Sequence, residues 1–266
     1  EPRIEAYRFH EREWDGYGEL YDAFEWEIPT KFNAATYCCD RWAEADPDRV
    51  AIHAVEATGD REYTYADLRS MANRLANHLQ ERGIERGDRV GVSGAQKVEF
   101  VAAHLAVWKL GAVTVPLSLL FGPDGLGYRL RDSGASAFVA DAAALDALRE
   151  VRSDCEALDT VLVVDGEPGP GEAGFHAALE GESTAFETRG TDADDPAALL
   201  YTSGTTGPPK GTVHAHRFLL GALVVYLTVA WDMEPRADRP LYSPVEWSWV
   251  ATMYVGLLSS LYYGGS

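Results

Sequence analysis

Residues Arg89–Pro116, RVGVSGAQKVEFVAAHLAVWKLGAVTVP, decide the fold of this chain. The runs Arg89–Val92 and Ala112–Val115 are short and apolar without polar alternation, which is typical of strands buried on both faces of a sheet. Between them, Val98–Leu110 has the length of a helix that crosses from one parallel strand to the next. The stretch therefore predicts a strand–helix–strand unit with parallel strands.

The same alternation continues downstream. The pattern predicts helices at Gly125–Asp132 and Ala142–Glu150 and strands at Ala137–Ala140 and Thr160–Val164. Residues 165–195 are rich in Gly, Pro and acidic residues, so we expect a surface loop with one short helix near Phe175–Leu179. The order predicts an α/β fold with a parallel sheet and flanking helices.

Upstream, two short strands, Val50–Val55 and Arg61–Thr64, flank a turn and predict a hairpin. Thr64 is followed three residues later by Asp67, a pair that can satisfy the free amides of a first helical turn. Gly83 should end that helix. A helical pattern also covers Phe32–Ala45, after a polar, aromatic-rich leader at residues 1–31.

The charge excludes some classes of partner. The 266 residues include 42 Asp and Glu against 23 Lys and Arg, which gives a net charge of -19. Nucleic acids and anionic lipid surfaces are held largely by basic side chains, so neither is expected as a partner. Lysine is scarce, since the chain has only Lys31, Lys97, Lys109 and Lys210. We read many carboxylates with few lysines as a sign of a high-salt cytoplasm, where screening relieves self-repulsion.

The apolar stretches and the cysteines indicate a cytoplasmic protein. Phe218–Trp231 and Trp249–Tyr263 are shorter than the roughly 20 residues that cross a bilayer, so we expect buried helices and no membrane span. The three cysteines, Cys38, Cys39 and Cys155, provide neither a disulfide framework nor a metal-ligand spacing. A reducing cytosol fits them best.

The stretch that carries chemistry is Ala197–His214, AALLYTSGTTGPPKGTVH. A buried strand leads into a turn in which glycines let backbone amides approach an anion, hydroxyls add donors, and Lys210 supplies a positive charge. This composition predicts a polyphosphate-binding loop. It is not the common P-loop, because two prolines separate Gly207 from Lys210 and Gly211 follows the lysine. The alternative is an ordinary Gly/Pro/Thr-rich turn between two strands.

The segment Tyr201–Gly211 resembles the signature loop of the adenylate-forming, or AMP-binding, superfamily, within which the chain is most similar to acetyl- and medium-chain acyl-CoA synthetases. The resemblance extends through Tyr63–Leu68, Gly87–Val90, Trp108–Val113 and Pro116. It implies a layered α/β domain of parallel sheets with flanking helices. It also implies that a carboxylate attacks ATP to give an acyl-adenylate, from which CoA takes the acyl group.

By that resemblance, seven loop residues contact the ATP phosphates, with Mg2+ sharing their charge: Thr202, Ser203, Gly204, Thr205, Thr206, Gly207 and Lys210. ATP, Mg2+ and CoA are the implied cofactors and co-substrates, and a small carboxylic acid is the implied substrate. The acyl-transfer lysine of the superfamily lies in a C-terminal domain, so no catalytic residue is assigned in this chain.

The segment Tyr242–Val250 resembles the acidic residue and tryptophan that follow the loop in acetyl- and medium-chain enzymes. Glu246 stands where an Asp is common, Trp249 where the tryptophan of the acyl pocket is found, and Trp247 beside it. The competing interpretation is that these aromatic residues belong to the hydrophobic core.

Two further groups of polar residues are expected to be structural. His214 and His216 alternate on a predicted strand, so that one should face inward and the other outward. The carboxylates of Asp192, Asp194 and Asp195 are expected on a solvated loop, and acids around Asp141–Asp146 on a helix surface and cap. None of these groups has a spacing that favours metal binding.

Enzymes of the superfamily are about twice this length. We therefore expect a leader at residues 1–31, a partial AMP-binding N-terminal domain at residues 32–266, no C-terminal domain, and no adenylation by this chain alone. Two alternatives stay open. One is an adenylation domain that loads a carrier protein, and the other is a truncated, non-catalytic remnant.

Overall fold

A computed structural model describes residues 4–55, 59–203, 207–230, 233 and 239–266. Its centre is a seven-stranded sheet with the strand order β7-β6-β5-β3-β4-β8-β9. The strands are β3 (Arg89–Ser93), β4 (Val113–Pro116), β5 (Ala137–Ala140), β6 (Thr160–Val163), β7 (Ala173–Gly174), β8 (Pro196–Thr202) and β9 (Lys210–Ala215). Neighbours from β7 to β8 pair in parallel, and β9 pairs antiparallel with β8. The predicted parallel α/β sheet is confirmed.

Helices cover both faces of this sheet, because alternate residues of its strands enter two separate cores. Val90 and Val139 belong to the core under helices α3 (Tyr65–Glu81) and α4 (Val98–Lys109). Phe138 and Val161 belong to the core under α5 (Pro123–Ser133) and α6 (Ala142–Val151). The middle strands are therefore buried on both sides, as their unbroken apolar sequences predicted.

A second, two-stranded sheet pairs β1 (Val50–Ala54) antiparallel with β2 (Arg61–Thr64). Helix α3 follows β2 directly and starts with the predicted capping box, in which Thr64 and Asp67 satisfy each other's backbone amides. Gly83 follows the end of this helix with a φ of +85°, a left-handed conformation that glycine adopts without strain.

The N-terminal segment packs against the end of the chain. It contains a 3-10 turn at Glu5–Glu11 and the helix α1 (Tyr17–Ala23). Tyr7 is buried, and its carbonyl accepts a hydrogen bond from the hydroxyl of Tyr263 over 2.7 Å. The division of the chain at residues 31 and 32 stays a prediction.

The helical pattern predicted for Phe32–Ala45 includes a π-helical turn at Thr36–Asp40 and the helix α2 (Arg41–Ala45). Here the carboxylate of Asp40 pairs with Lys109 at the end of α4, and Thr188 donates to the same carboxylate over 2.9 Å. Lys109 is 1% exposed. This buried ion pair ties three distant parts of the chain together. The short helix expected near residue 175 is α7 (Phe175–Leu179).

The last part of the chain is helical but only partly enclosed. Helix α8 (Phe218–Val225) continues as a π-helix at Tyr226–Ala230, and a π-helix at Ala251–Leu258 continues as α9 (Ser259–Tyr262). Leu219 and Leu223 are buried, whereas Val225 and Val229 lie on the surface. The expectation of buried helices is therefore confirmed only in part, because the first segment exposes one side, whereas every residue of α9 is buried. Among all the residues that the structure describes, no helix is long and apolar enough to cross a membrane.

Candidate functional site

The predicted phosphate loop connects β8 to β9 at the carboxyl edge of the parallel sheet. Thr202 is the last residue of β8, and it pairs with Lys210, the first residue of β9. Ser203, Gly207, Pro208 and Pro209 form the described parts of the loop, and the predicted phosphate contacts Gly204, Thr205 and Thr206 lie outside the described residues. Because parallel strands end on one side of a sheet, this edge is where α/β proteins place ligands.

At two positions of the loop region, the local structure explains why the residue is glycine. Gly207 has a φ of +78° and open space around its Cα, so the left-handed backbone alone favours glycine there. At Gly211 in β9, an added Cβ would lie 2.9 Å from Leu199 Cδ1 and 3.4 Å from Tyr201 Cζ. Glycine therefore lets the two legs of the loop lie close together. We call the end of β8, which enters the loop, the entering leg, and residues 207–211, which leave it, the leaving leg.

Helix α5 contacts both legs of the loop. Tyr201, on the leg that enters the loop, donates a hydrogen bond to Asp132 Oδ2 over 2.7 Å. On the leg that leaves the loop, the carbonyl of Pro209 accepts a hydrogen bond from the hydroxyl of Tyr128 over 3.0 Å. Burial and the hydrogen bond to Asp132 both raise the pKa of Tyr201, which keeps its phenol protonated as a donor.

Lys210 differs from the other three lysines. Lys31 pairs with Asp192, Lys97 with Asp141 and Asp165, and Lys109 with Asp40. Lys210 is exposed, and among the described residues no carboxylate pairs with its ammonium. Its charge is therefore available to an anion at the loop.

The segment that contains Glu246 lies at the same edge of the sheet. Ser118, which follows β4, donates to Glu246 Oε2 over 2.6 Å, and Ser248 donates to the same oxygen over 3.0 Å. Gln96, which follows β3, donates to the carbonyls of Ser243 and Val245. Side chains after two neighbouring strands thus fix this segment over the carboxyl edge.

The two tryptophans of this segment have different surroundings. Trp247 is partly buried against the core under α3 and α4. It also lines a cavity of about 900 Å³, together with residues of β1, Lys97 and the last residues of the chain. Trp249 is 63% exposed. The structure therefore brings Trp247 to a cavity, and it places Trp249 at the surface, so the predicted pocket roles of these residues and of Glu246 stay predictions.

Lys97 forms a polar cluster that sequence reasoning missed. Its ammonium lies 2.6 Å from Asp141 and 2.7 Å from Asp165, residues that follow β5 and β6. Burial lowers the pKa of Lys97, but its hydrogen bonds to the two carboxylates outweigh that effect and raise the pKa overall. Asp141 also caps α6 by accepting from the amide of Ala143, which confirms the predicted helix cap. The scarcity of lysine was the one available signal for this cluster.

The residues expected to be structural make structural contacts. His216 is buried, and its Nδ1 accepts a hydrogen bond from the Ala34 amide over 3.2 Å. Burial lowers the pKa of His216 to about 4, so the imidazole is neutral near pH 7. Each of the three loop carboxylates forms an ion pair: Asp192 with Lys31, Asp194 with Arg217, and Asp195 with Arg86.

The described residues of the loop offer donors that suit phosphate oxygens. The described part of the chain contains no group of three or more His, Cys, Asp or Glu side chains arranged to hold a metal. The loop instead offers the hydroxyls of Thr202 and Ser203 and the free ammonium of Lys210, which are donors for phosphate oxygens.

A match to the AMP-binding enzyme family covers residues 39–266. The chain belongs to this family. The AMP-binding enzyme family was the one indicated by the loop at Tyr201–Gly211, so that prediction is confirmed.

Several curated relatives of this member of the family are CoA ligases. The acetyl-coenzyme A synthetase of Penicillium chrysogenum is 33% identical over 215 residues, which is 74% of this chain and 32% of that protein. That of Bacillus subtilis (strain 168) is 29% identical over 256 residues, which is 91% of this chain and 44% of that protein. The 3-hydroxybenzoate--CoA/4-hydroxybenzoate--CoA ligase of Thauera aromatica is 35% identical over 162 residues, which is 60% of this chain and 31% of that protein.

Solved structures show the same fold. The Brucella canis acyl-CoA synthetase superimposes with a TM-score of 0.81 at 28% identity, over 95% of this chain and 47% of that one. An anthranilate CoA ligase in complex with anthranoyl-AMP superimposes with a TM-score of 0.80 at 26% identity, over 90% of this chain and 45% of that one. The chain thus spans less than half the length of these relatives.

Proposed function

We propose that this chain forms the ATP-binding part of an AMP-forming acyl-CoA synthetase. In the first step, a carboxylate oxygen attacks the α-phosphorus of ATP, the bond to the β-phosphate oxygen breaks, and an acyl-adenylate and pyrophosphate form. In the second step, the thiol of CoA attacks the acyl carbon and AMP leaves. The thiol proton goes to solvent or to a base. CoA ligases among the relatives support this reaction class.

The observation that carries the proposal is the position of the loop. It follows β8 at the carboxyl edge of a parallel sheet, and Lys210 is exposed there with no carboxylate partner among the described residues. We assign Thr202, Ser203, Gly207 and Lys210, and by family resemblance Gly204, Thr205 and Thr206, to the β- and γ-phosphates. Donors held at that place stabilise the negative charge that develops on the departing pyrophosphate.

Magnesium fits this role as a partner of the phosphates, since it binds few protein carboxylates and prefers phosphate and water oxygens. When bound, it neutralises charge on the phosphate oxygens. The described part of the loop supplies the hydroxyls of Thr202 and Ser203 as protein oxygens.

For the acid substrate, we assign the segment that carries Glu246, Trp247 and Trp249. Hydrogen bonds from Ser118 and Gln96 fix it over the same edge of the sheet as the loop. Trp247 offers an apolar wall at the cavity, which suits the hydrocarbon part of a small carboxylic acid.

Calorimetric titration with MgATP tests the assignment of the loop. Lys210→Met should weaken binding roughly 10- to 100-fold, because a hydrogen bond to a charged group contributes about 1.5–3 kcal/mol. Lys31→Met is the matched control, since it removes an exposed lysine that pairs with Asp192, ahead of the start of β8, whereas the loop follows the end of β8. Equal affinities for wild type and Lys210→Met would refute the assignment.

Exchange of labelled pyrophosphate into ATP tests the first step. We expect the 266-residue chain to bind MgATP but to give no carboxylate-dependent exchange, because it spans 45–47% of the superimposed synthetases. Exchange that requires a carboxylate would show instead that these residues suffice for adenylation. In an active longer chain, product analysis with CoA and with a carrier protein would identify the thiol acceptor.

A further inference from the structure

Helix α5 contacts the chain on both sides of the phosphate loop, at Tyr201 and at Pro209. Tyr128 lies in this helix, and its hydroxyl carries a single proton. The carbonyl of Pro209 accepts a hydrogen bond from this hydroxyl over 3.0 Å, whereas Asp132 Oδ1 is 3.5 Å away. The ring of Tyr128 also packs edge-on against Tyr201, with 6.4 Å between ring centroids.

Tyr201 completes the contact on the entering leg. It donates to Asp132 Oδ2 over 2.7 Å, and the guanidinium of Arg129 lies 5.6 Å from the centre of its ring. Arg129 itself is buried and hydrogen-bonded to the carbonyl of Gly125. The entering leg is therefore held by a strand pairing and by α5.

The leaving leg has less support. Pro208 and Pro209 have no amide hydrogen, so neither can donate to a neighbouring strand. Strand pairing begins only at Lys210. Among the hydrogen bonds of the described residues, the one from Tyr128 is the contact that a side chain makes with this leg between Gly207 and Lys210.

We propose that Tyr128 is a positioning residue of the phosphate loop. By holding the carbonyl of Pro209, it sets the direction in which the chain enters β9 and therefore the place of the Lys210 ammonium. This inference rests on the proposed function for its ligand, a magnesium-bound pyrophosphate or triphosphate. Its structural part, the restraint on the leaving leg, is independent of any ligand.

The test compares Tyr128→Phe with wild type and with Tyr21→Phe, which removes the hydroxyl of an exposed tyrosine in α1. Magnesium pyrophosphate and MgATP are titrated into each protein. Tyr128→Phe should bind both about three- to tenfold more weakly, the range expected for one hydrogen bond, and its urea unfolding midpoint should fall only slightly. A role in stability alone would lower the midpoint and leave both affinities unchanged.

Amide hydrogen exchange supplies the second measurement. In Tyr128→Phe, the amides of Gly207, Lys210 and Gly211 should exchange faster than in wild type, while those of β5 and β6 should not change. If wild type binds no pyrophosphate, the proposed function fails and exchange alone decides the inference. Unchanged exchange at these three amides, or unchanged affinity in a binding-competent wild type, overturns the role of Tyr128.

Discussion

Helices α4 and α8 have similar apolar sequences but different surroundings. Every residue of α4 except Glu99 is buried, because the helix lies between α3 and the sheet. In α8, Leu219 and Leu223 are buried, while Phe218 and Val225 are 39% and 43% exposed. An apolar run thus shows that a helix has faces to cover, but the number of covered faces depends on which elements pack around it.

The largest expected effect is a loss of stability in the enclosed region, the part of the protein around α4. Lys109→Met should lower the free energy of unfolding by about 3–5 kcal/mol, because it leaves Asp40 without its buried partner. Lys31→Met removes an exposed pair with Asp192 and should change stability by less than about 1 kcal/mol. Urea unfolding measures both. Similar losses would mean that burial does not separate the two pairs.

The second-largest expected effect is a loss of stability of the enclosed region in acid. Burial lowers the pKa of His104 to about 3 and that of His216 to about 4, and both rings face Trp108 of α4. Below pH 6.5, the unfolded chain therefore binds protons that the folded chain does not. Stability should be complete above pH 6.5 and should fall as the pH drops from 6.5 to 4, by on the order of 3 kcal/mol for His216, with the loss from His104 continuing to about pH 3.

The control for this prediction is His53, which lies on the surface beside Glu62. Unfolding midpoints measured from pH 7 to pH 4 should fall less steeply for His216→Gln than for wild type, and His53→Gln should follow wild type. Parallel curves for all three proteins would contradict a role for the buried imidazole.

A matched pair of glycine substitutions compares the two regions directly. In β3, a Cβ at position 91 would lie 2.6 Å from Phe138 Cδ2, so Gly91→Ala should cost about 1–3 kcal/mol. In α8, a Cβ at position 221 would meet nothing within 4 Å, and Gly221→Ala should stabilise the protein by about 0.5–1 kcal/mol. Thermal unfolding reports the signs, and a loss at position 221 would show that α8 is packed as tightly as β3.

The smallest expected effect concerns the surface charges. With a net charge of -19, the folded chain should gain stability from low to molar KCl, because the screening length falls from about 10 Å at 0.1 M to about 3 Å at 1 M. The stability difference between wild type and Lys109→Met should not change over this range, since that pair is buried. A midpoint that does not rise with KCl would contradict the high-salt interpretation.

The sequence predicted the elements whose causes are local or periodic. The strands β3–β6 follow from short apolar runs, and the start of α3 follows from Thr64 and Asp67, three residues apart. The family of the loop could be predicted because its residues are contiguous. The start of the last helical segment was less well predicted, since it begins at Ala251 and leaves Trp249 exposed.

The supports of the site could not be predicted, because they join distant residues. Tyr128 and Pro209 are 81 positions apart, Ser118 and Glu246 are 128 apart, and Gln96 and Val245 are 149 apart. A polar side chain in a loop or on a helix gives no sign of which remote carbonyl or carboxylate it will meet. The pairs meet because the parallel strands align their carboxyl ends.

The unequal environments of the four lysines have a practical consequence for chemical labelling. Lys109 is inaccessible, two carboxylates hold the ammonium of Lys97, and Lys31 carries only an exposed pair with Asp192. An amine-reactive reagent at low stoichiometry should therefore modify the exposed Lys31 and Lys210 ahead of the other two side chains. Because the Lys210 amine lies at the phosphate loop, its protection from the reagent, with Lys31 as the internal control, would report occupancy of the loop by an anion without an assay of turnover.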